Sequence, residues 1–205
     1  METFLRLENE EDYFIVENLT REAFWQTDKK PVGCDEHYLL YKLRQSSDFI
    51  KELDYVALVD NKIVGHIIYT KSRIIDSDNN EHETISFGPI SVLPEYQKKG
   101  IGTKLINFTF KKAKEMGYCA VIIYGHPEYY PRFGFKNAKD YNITTPEGKN
   151  FDAFMICELY EGALNGITGR GYESSIFFDI NAEDVEEFDK KFPQKNSGTN
   201  KKDEL

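Results

Sequence analysis

The chain has 205 residues, with 35 acidic against 26 basic side chains and a formal net charge of −9, a balance that argues against nucleic acid or an anionic membrane as partner. Hydrophobic residues make up 40% and aromatic residues 14% of it; this excludes a disordered chain, and no run approaches the roughly 20 apolar residues of a membrane span. Three cysteines, Cys34, Cys119 and Cys157, are odd in number and lack metal-ligand spacing, so reduced thiols and no bound metal are expected.

The start, Met1-Glu2-Thr3-Phe4, lacks the basic-then-apolar layout of a secretory signal, which predicts a cytoplasmic location. Residues 3 to 7 fit a first strand. Glu10 to Trp25 carries apolar and acidic residues at helical spacing, with Pro31 and Gly33 as breakers, and Asp35 to Ser46 reads as a second helix that buries Tyr38, Leu39, Tyr41 and Leu43. Tyr55 to Val59 and Ile63 to Ile75 are predicted strands joined by a hairpin at Asp60-Asn61-Lys62. A second turn, Asp76 to Asn80, leads into another strand.

That strand, Glu83 to Val92, changes phase. Ile85 and Phe87 are odd, whereas Ile90 and Val92 are even. Side chains alternate faces with a period of two, so one core face holds both pairs only if an extra residue intervenes. Gly88-Pro89 sits at the break, which predicts a bulge that frees backbone groups around Ile90, Ser91 and Val92 to face a ligand. The chain then runs through Leu93-Pro94-Glu95-Tyr96 into Gln97-Lys98-Lys99-Gly100-Ile101-Gly102-Thr103-Lys104. Here a short basic glycine loop opens a helix, which is how a backbone builds an anion site. The dinucleotide fingerprint is excluded because Leu105 stands where its third glycine would be, and the P-loop spacing is absent. Lys98, Lys99 and Lys104 are the expected phosphate neighbours, while Lys111, Lys112 and Lys114 read as a solvated face.

Gly117 ends this helix and Cys119 to Tyr124 is an apolar strand. It opens into Gly125-His126-Pro127-Glu128-Tyr129-Tyr130-Pro131-Arg132-Phe133-Gly134-Phe135. In this order and spacing, the bulged strand, the Gln97-x-x-Gly100-x-Gly102 loop, helix, strand and Tyr130-x-Arg132-Phe133-Gly134-Phe135 resemble the GCN5-related N-acetyltransferase (GNAT) superfamily over about residues 55 to 160. The resemblance implies acetyl-CoA as co-substrate. It assigns the coenzyme pyrophosphate to the backbone of Gln97, Lys98, Lys99, Gly100, Ile101 and Gly102 with help from Thr103, and the pantetheine arm to Ile90, Ser91 and Val92. It makes Tyr130 the catalytic acid for the departing thiolate. The first loop position, often arginine in that family, is glutamine here.

Tyr129, next to Tyr130, reads as a packing residue with its hydroxyl at the surface. No residue singles itself out as general base among His126, His66, Glu83, Glu95 and Glu128. Trp25, Tyr38 and Tyr41 are candidates for the wall of an acceptor pocket. Phe151 to Leu159 is a further strand; beyond residue 160 the pattern loosens around Gly162, Gly166, Gly169 and Gly171, with Ile176 to Ile180 as a strand, Ala182 to Phe192 as an acidic helix and a mobile tail from Pro193. The terminal Lys202-Asp203-Glu204-Leu205 matches the endoplasmic-reticulum retention tetrapeptide, and without an entry signal it reads as coincidence.

The expected architecture is α/β: a mixed, largely antiparallel sheet flanked by helices, with a bulged strand and one strand-helix-strand unit. Residues 1–160 form the transferase domain and 161–205 a C-terminal extension. The expected activity is N-acetyl transfer from acetyl-CoA to a small-molecule or peptide primary amine by direct attack. The alternative is a binding module that senses acyl-CoA without turnover.

Overall fold

The computed structural model describes residues 2–26 and 33–195; Pro31 and the terminal tetrapeptide lie outside the described residues. Strand β1 (Phe4–Leu7) leads into helices α1 (Tyr13–Phe24) and α2 (Glu36–Leu43), followed by β2 (Tyr55–Val59), β3 (Lys62–Ile75) and β4 (Glu81–Val92). Helix α3 (Ile101–Glu115) and β5 (Ala120–Tyr124) come next. The remainder is β6 (Lys136–Asn137), β7 (Ile143–Thr144), β8 (Phe154–Glu158), β9 (Gly169–Tyr172) and α4 (Ala182–Asp189).

The strands form one sheet in the order β1-β2-β3-β4-β5-β8-β6, with β9 on the far end of β3 and β7 on β9. Pairing is antiparallel except at β4–β5 and β7–β9. The β4-α3-β5 crossover supplies the first of those parallel contacts, as a helix between neighbouring parallel strands does. Asp60 and Asn61, at φ +50° and +62°, make the two-residue turn between Val59 and Lys62, since paired left-handed residues match the twist of a hairpin.

Strand β5 is buried on both faces, which explains its unbroken apolar run. Val121 and Ile123 join the larger core, into which α3 inserts Ile101, Leu105 and Ile106. Ala120 and Ile122 join a second core with Ile74, Ile143, Phe154 and Ile156. A hydrogen bond of 2.7 Å between the Tyr69 and Thr109 hydroxyls ties α3 to β3.

The segment after residue 160 packs back on the rest. β9 pairs with Arg73, Ile74 and Ile75, and Phe188 of α4 packs on His37, Tyr38 and Tyr41 of α2. Where Ile176 to Ile180 was expected as a strand, residues Ser175–Phe178 form a 3-10 turn. The Phe177 N–H bonds the Ser174 carbonyl and the Asp179 N–H bonds that of Ile176, so local bonds satisfy this backbone in place of a neighbouring strand.

Candidate functional site

Strand β4 carries one residue more than its partner at the predicted break. Ile67 faces Ile90 and Tyr69 faces Phe87, leaving Gly88 and Pro89 opposite Ile68 alone. The insertion brings Ile85, Phe87, Ile90 and Val92 into the same core. Past the bulge the Leu93 N–H donates to the Val64 carbonyl at 3.0 Å. Antiparallel alternation then makes Ser91 and His66 a bonded pair and turns the backbones of Ile90 and Val92 away from β3. On that side β5 pairs with β4 only at Ile85 and Ser86, so the strands part and Ile90 and Val92 border a gap. Ser91 is committed inward: its hydroxyl donates to Thr20 at 2.9 Å.

The loop enters this gap. Lys98 has φ +58° and Gly100 φ +81°, with Lys99 between them at negative φ, an alternation that points successive N–H groups to one side. Gly100 is the N-cap of α3 and offers no capping side chain, and the first turn contains no acidic residue. The first intrahelical bond runs from the Lys104 N–H to the Gly100 carbonyl, which leaves the N–H groups of Ile101, Gly102 and Thr103 without helical partners. Gly102 lies inside α3 and, unlike Gly100, lacks positive φ. A Cβ built there would lie 3.6 Å from the Tyr129 hydroxyl, 3.8 Å from Ile90 Cδ1 and 3.9 Å from Val92 Cγ2, so the glycine keeps the space between α3 and β4 open. Gln97 donates from Nε2 to the Val92 carbonyl at 3.1 Å, bracing the loop against the strand. Lys99 donates to the Glu95 carbonyl at 2.7 Å, while Lys104 is exposed on α3.

The tyrosine segment closes the third side. Tyr130 opens a 3-10 turn that Gly134 ends at φ +92°. Its ring lies on the backbone of Gly125, where a Cβ would come within 2.5 Å of it, and it also packs near Phe87 at 5.8 Å, Phe135 at 5.6 Å and Phe133 at 6.4 Å. Burial pushes the Tyr130 phenol up to about 12, so it stays protonated at neutral pH. Tyr129 is half-buried. Its ring stands edge-on to Tyr130 at 5.0 Å, and its oxygen reaches the first turn of α3.

The base candidates separate by burial. His126 and Glu128 are exposed, and Glu95 pairs with Lys62 at 3.2 Å. His66 is fully buried, 2.6 Å from Asp54, and burial pushes its imidazole down to about 4. Glu8, Asp54 and His66 stand close enough to share a metal ion. Arg44 already bonds both Glu8 oxygens, from Nε at 3.0 Å and Nη2 at 2.6 Å, so this knot has its cation. The acceptor-wall candidates each pack against other side chains. Trp25 lies under the Arg21 guanidinium at 4.4 Å, and Tyr38 and Tyr41 pack beneath α4. Sequence reasoning missed Gly125 and the reach of Tyr129; the glycine directly after an apolar strand was the available signal.

Residues 5–135 match the family model described as the acetyltransferase (GNAT) family. The uncharacterized N-acetyltransferase YhbS of Escherichia coli K12 is 28% identical over 135 residues, 65% of this chain and 78% of that protein. Its crystal structure in complex with CoA superposes with a TM-score of 0.75 at 24% identity, covering 88% of this chain and 94% of that one, a likeness of fold. A GNAT family acetyltransferase from Brucella melitensis in complex with acetyl-CoA gives a TM-score of 0.64 at 25% identity, over 86% and 98% of the two chains.

Proposed function

Because the chain belongs to the acetyltransferase (GNAT) family, it is an acyltransferase with acetyl-CoA as co-substrate, and we propose that it passes the acetyl group to a primary amine by direct attack in a ternary complex. The observation that carries this reading is convergence: α3 at Gly102, β4 at Ile90 and Val92, and Tyr129 beside Tyr130 meet around one point. The pyrophosphate lies on the backbone of Gln97 to Thr103, where open N–H groups and the helix dipole favour an anion. The pantetheine arm fills the gap between β4 and β5, as an added strand on Ile90 and Val92. A backbone N–H beside the bulge polarises the thioester carbonyl, and Tyr130 supplies the proton for the thiolate that leaves.

Calorimetry with CoA, combined with thiol release from acetyl-CoA in the presence of amines, tests both halves. Gly102→Ala should bind nearly as wild type, since the added Cβ has ordinary room, whereas Gly102→Val should weaken CoA binding about tenfold or more by filling the gap. A folded Gly102→Val protein of unchanged affinity would overturn the loop assignment. Coenzyme binding without release for any amine would favour the sensor.

A further inference from the structure

An open pocket of about 830 Å³ lies away from the α3 loop, lined by β3, the β7–β8 connection and residues 172–175 and 178 of the C-terminal segment. Its lining residue Glu173 accepts a hydrogen bond of 2.5 Å from the hydroxyl of buried Ser86, the last β4 residue paired with β5. The chain beyond Glu173 follows β4 toward the bulge: Phe177 Cε1 lies 3.7 Å from where a Cβ on Gly88 would sit. Tyr124 also lines the pocket, and the next residue is Gly125, on which the Tyr130 ring rests. The pocket therefore opens on the sheet face of the second core, where Tyr124 stacks on Phe154 at 5.0 Å, opposite the face that holds the Tyr130 ring, and it runs along β4 toward the place where β4 and β5 part.

The lining has a definite chemistry. Around Glu173 stand the carboxylates Asp48, Glu81, Glu83 and Glu147 and the cations Lys71 and Arg73, five negative groups against two positive. Arg73 is itself held, 3.5 Å from Glu81 and over the Tyr172 ring at 5.5 Å. Three large aromatic side chains of the lining are left open to solvent, Phe178 at 72%, Phe151 at 46% and Tyr124 at 38%. Such exposure within one concave site is what a bound apolar body would cover. The buried Ser174 hydroxyl in the same lining has no partner among the described residues.

We propose that this pocket is the acceptor site, that it takes a primary amine that is cationic and carries an aromatic or similarly sized apolar body, and that Glu173 removes the amine's proton. The inference rests on the acetyl-transfer reading above. Excess negative charge draws the ammonium in, and the aromatic walls hold both its body and, face-on, its charge. One ammonium proton passes to Glu173 and the nitrogen lone pair attacks the thioester carbonyl carbon. The C–S bond then breaks, the thiolate takes up one proton through Tyr130, and the nitrogen loses a second, so that one proton in all is released. Burial pushes the Glu173 carboxyl up to about 7, against the opposing effect of the Ser86 hydrogen bond, which suits a group that must accept a proton at neutral pH.

The test is amine-dependent thiol release over pH 5.5 to 9, with CoA affinity measured alongside. Wild type should accept 2-phenylethylamine and tryptamine at least tenfold better than phenylalanine, whose carboxylate meets like charge, with kcat/KM rising through an apparent pKa near 7. Glu173→Gln should lower kcat/KM by about 100-fold and erase that limb while CoA affinity is kept. Ser86→Ala, which removes only the donated bond, should move the limb to higher pH, a displacement that a purely structural Glu173 would not produce. Transfer in which Glu173→Gln retains the wild-type rate and profile overturns the role of Glu173. If the protein binds CoA and acetylates other amines but none of these, or prefers phenylalanine, the assignment of the pocket is wrong. No CoA binding by wild type, or binding with no release for any amine, would instead overturn the acetyl-transfer reading itself.

Discussion

Tyr130 is held by what surrounds it more than by bonds of its own. Among the described residues its hydroxyl has no hydrogen-bond partner, while its ring is fixed by Phe87, Phe135 and the bare backbone of Gly125. Removing the oxygen leaves that packing intact. Tyr130→Phe should therefore lower turnover 10- to 100-fold with CoA affinity unchanged, as steady-state kinetics beside calorimetry would read; an unchanged rate at every pH would remove the acid role. Gly125→Ala acts on the same ring from below, because its methyl cannot occupy a site 2.5 Å from it. It should displace Tyr130 and depress kcat at least as much, with some loss of stability, whereas a kcat equal to wild type would mean that the ring's seat is unimportant. Tyr130 was legible in the local motif, but Gly125 was not read as its seat, because a close approach between neighbours along the chain appears only once the turn is formed.

Among the elements, β4 was legible in outline from its phase change, since a period-two pattern that slips by one residue has few other causes. The same argument did not reach β9. A run holding Gly162, Gly166, Gly169 and Gly171 reads as loosened chain, yet Gly169 stands at φ +139° where a Cβ would fall 2.1 Å from the Ile75 carbonyl oxygen. Gly169 lets backbone approach backbone, and β9 pairs with the end of β3 as a result. Gly169→Ala should accordingly loosen β9 and the pocket wall that follows it. Hydrogen exchange should rise across residues 169–178 while α3 and β5 remain protected, and uniform protection would mean that the clash is relieved without cost. Its effect on amine KM should exceed that on CoA affinity, because the pyrophosphate loop lies on another part of the sheet.

Taken whole, the molecule is closed by its C-terminal segment. Arg21, 1% exposed, bonds Asp189 from Nε at 2.5 Å and Nη2 at 2.9 Å, and His37 lies 3.1 Å from the same carboxylate, between Phe188 and Phe192 at 5.5 and 5.4 Å. Burial pushes His37 down to about 4, against the raising influence of Asp189. The unfolded chain, with an ordinary histidine near 6.5, then binds the proton more readily than the folded one. The stability His37 contributes is present above about pH 6.5 and is lost as pH falls toward 4. Compared with His37→Gln in urea unfolding, wild type should lose relative stability between pH 7 and 4.5, and a difference independent of pH would show that His37 is not held neutral. Local chain chemistry was enough for the hairpin turn, the bulge, the glycine loop with its helix, and the tyrosine motif, because each depends on dihedral preference and side-chain period within a dozen residues. Only folding brought Ser86 to Glu173, Arg21 to Asp189 and Tyr129 to Gly102. Those meetings are set by which faces bury together, and no local periodicity records a partner 87 or 168 residues away.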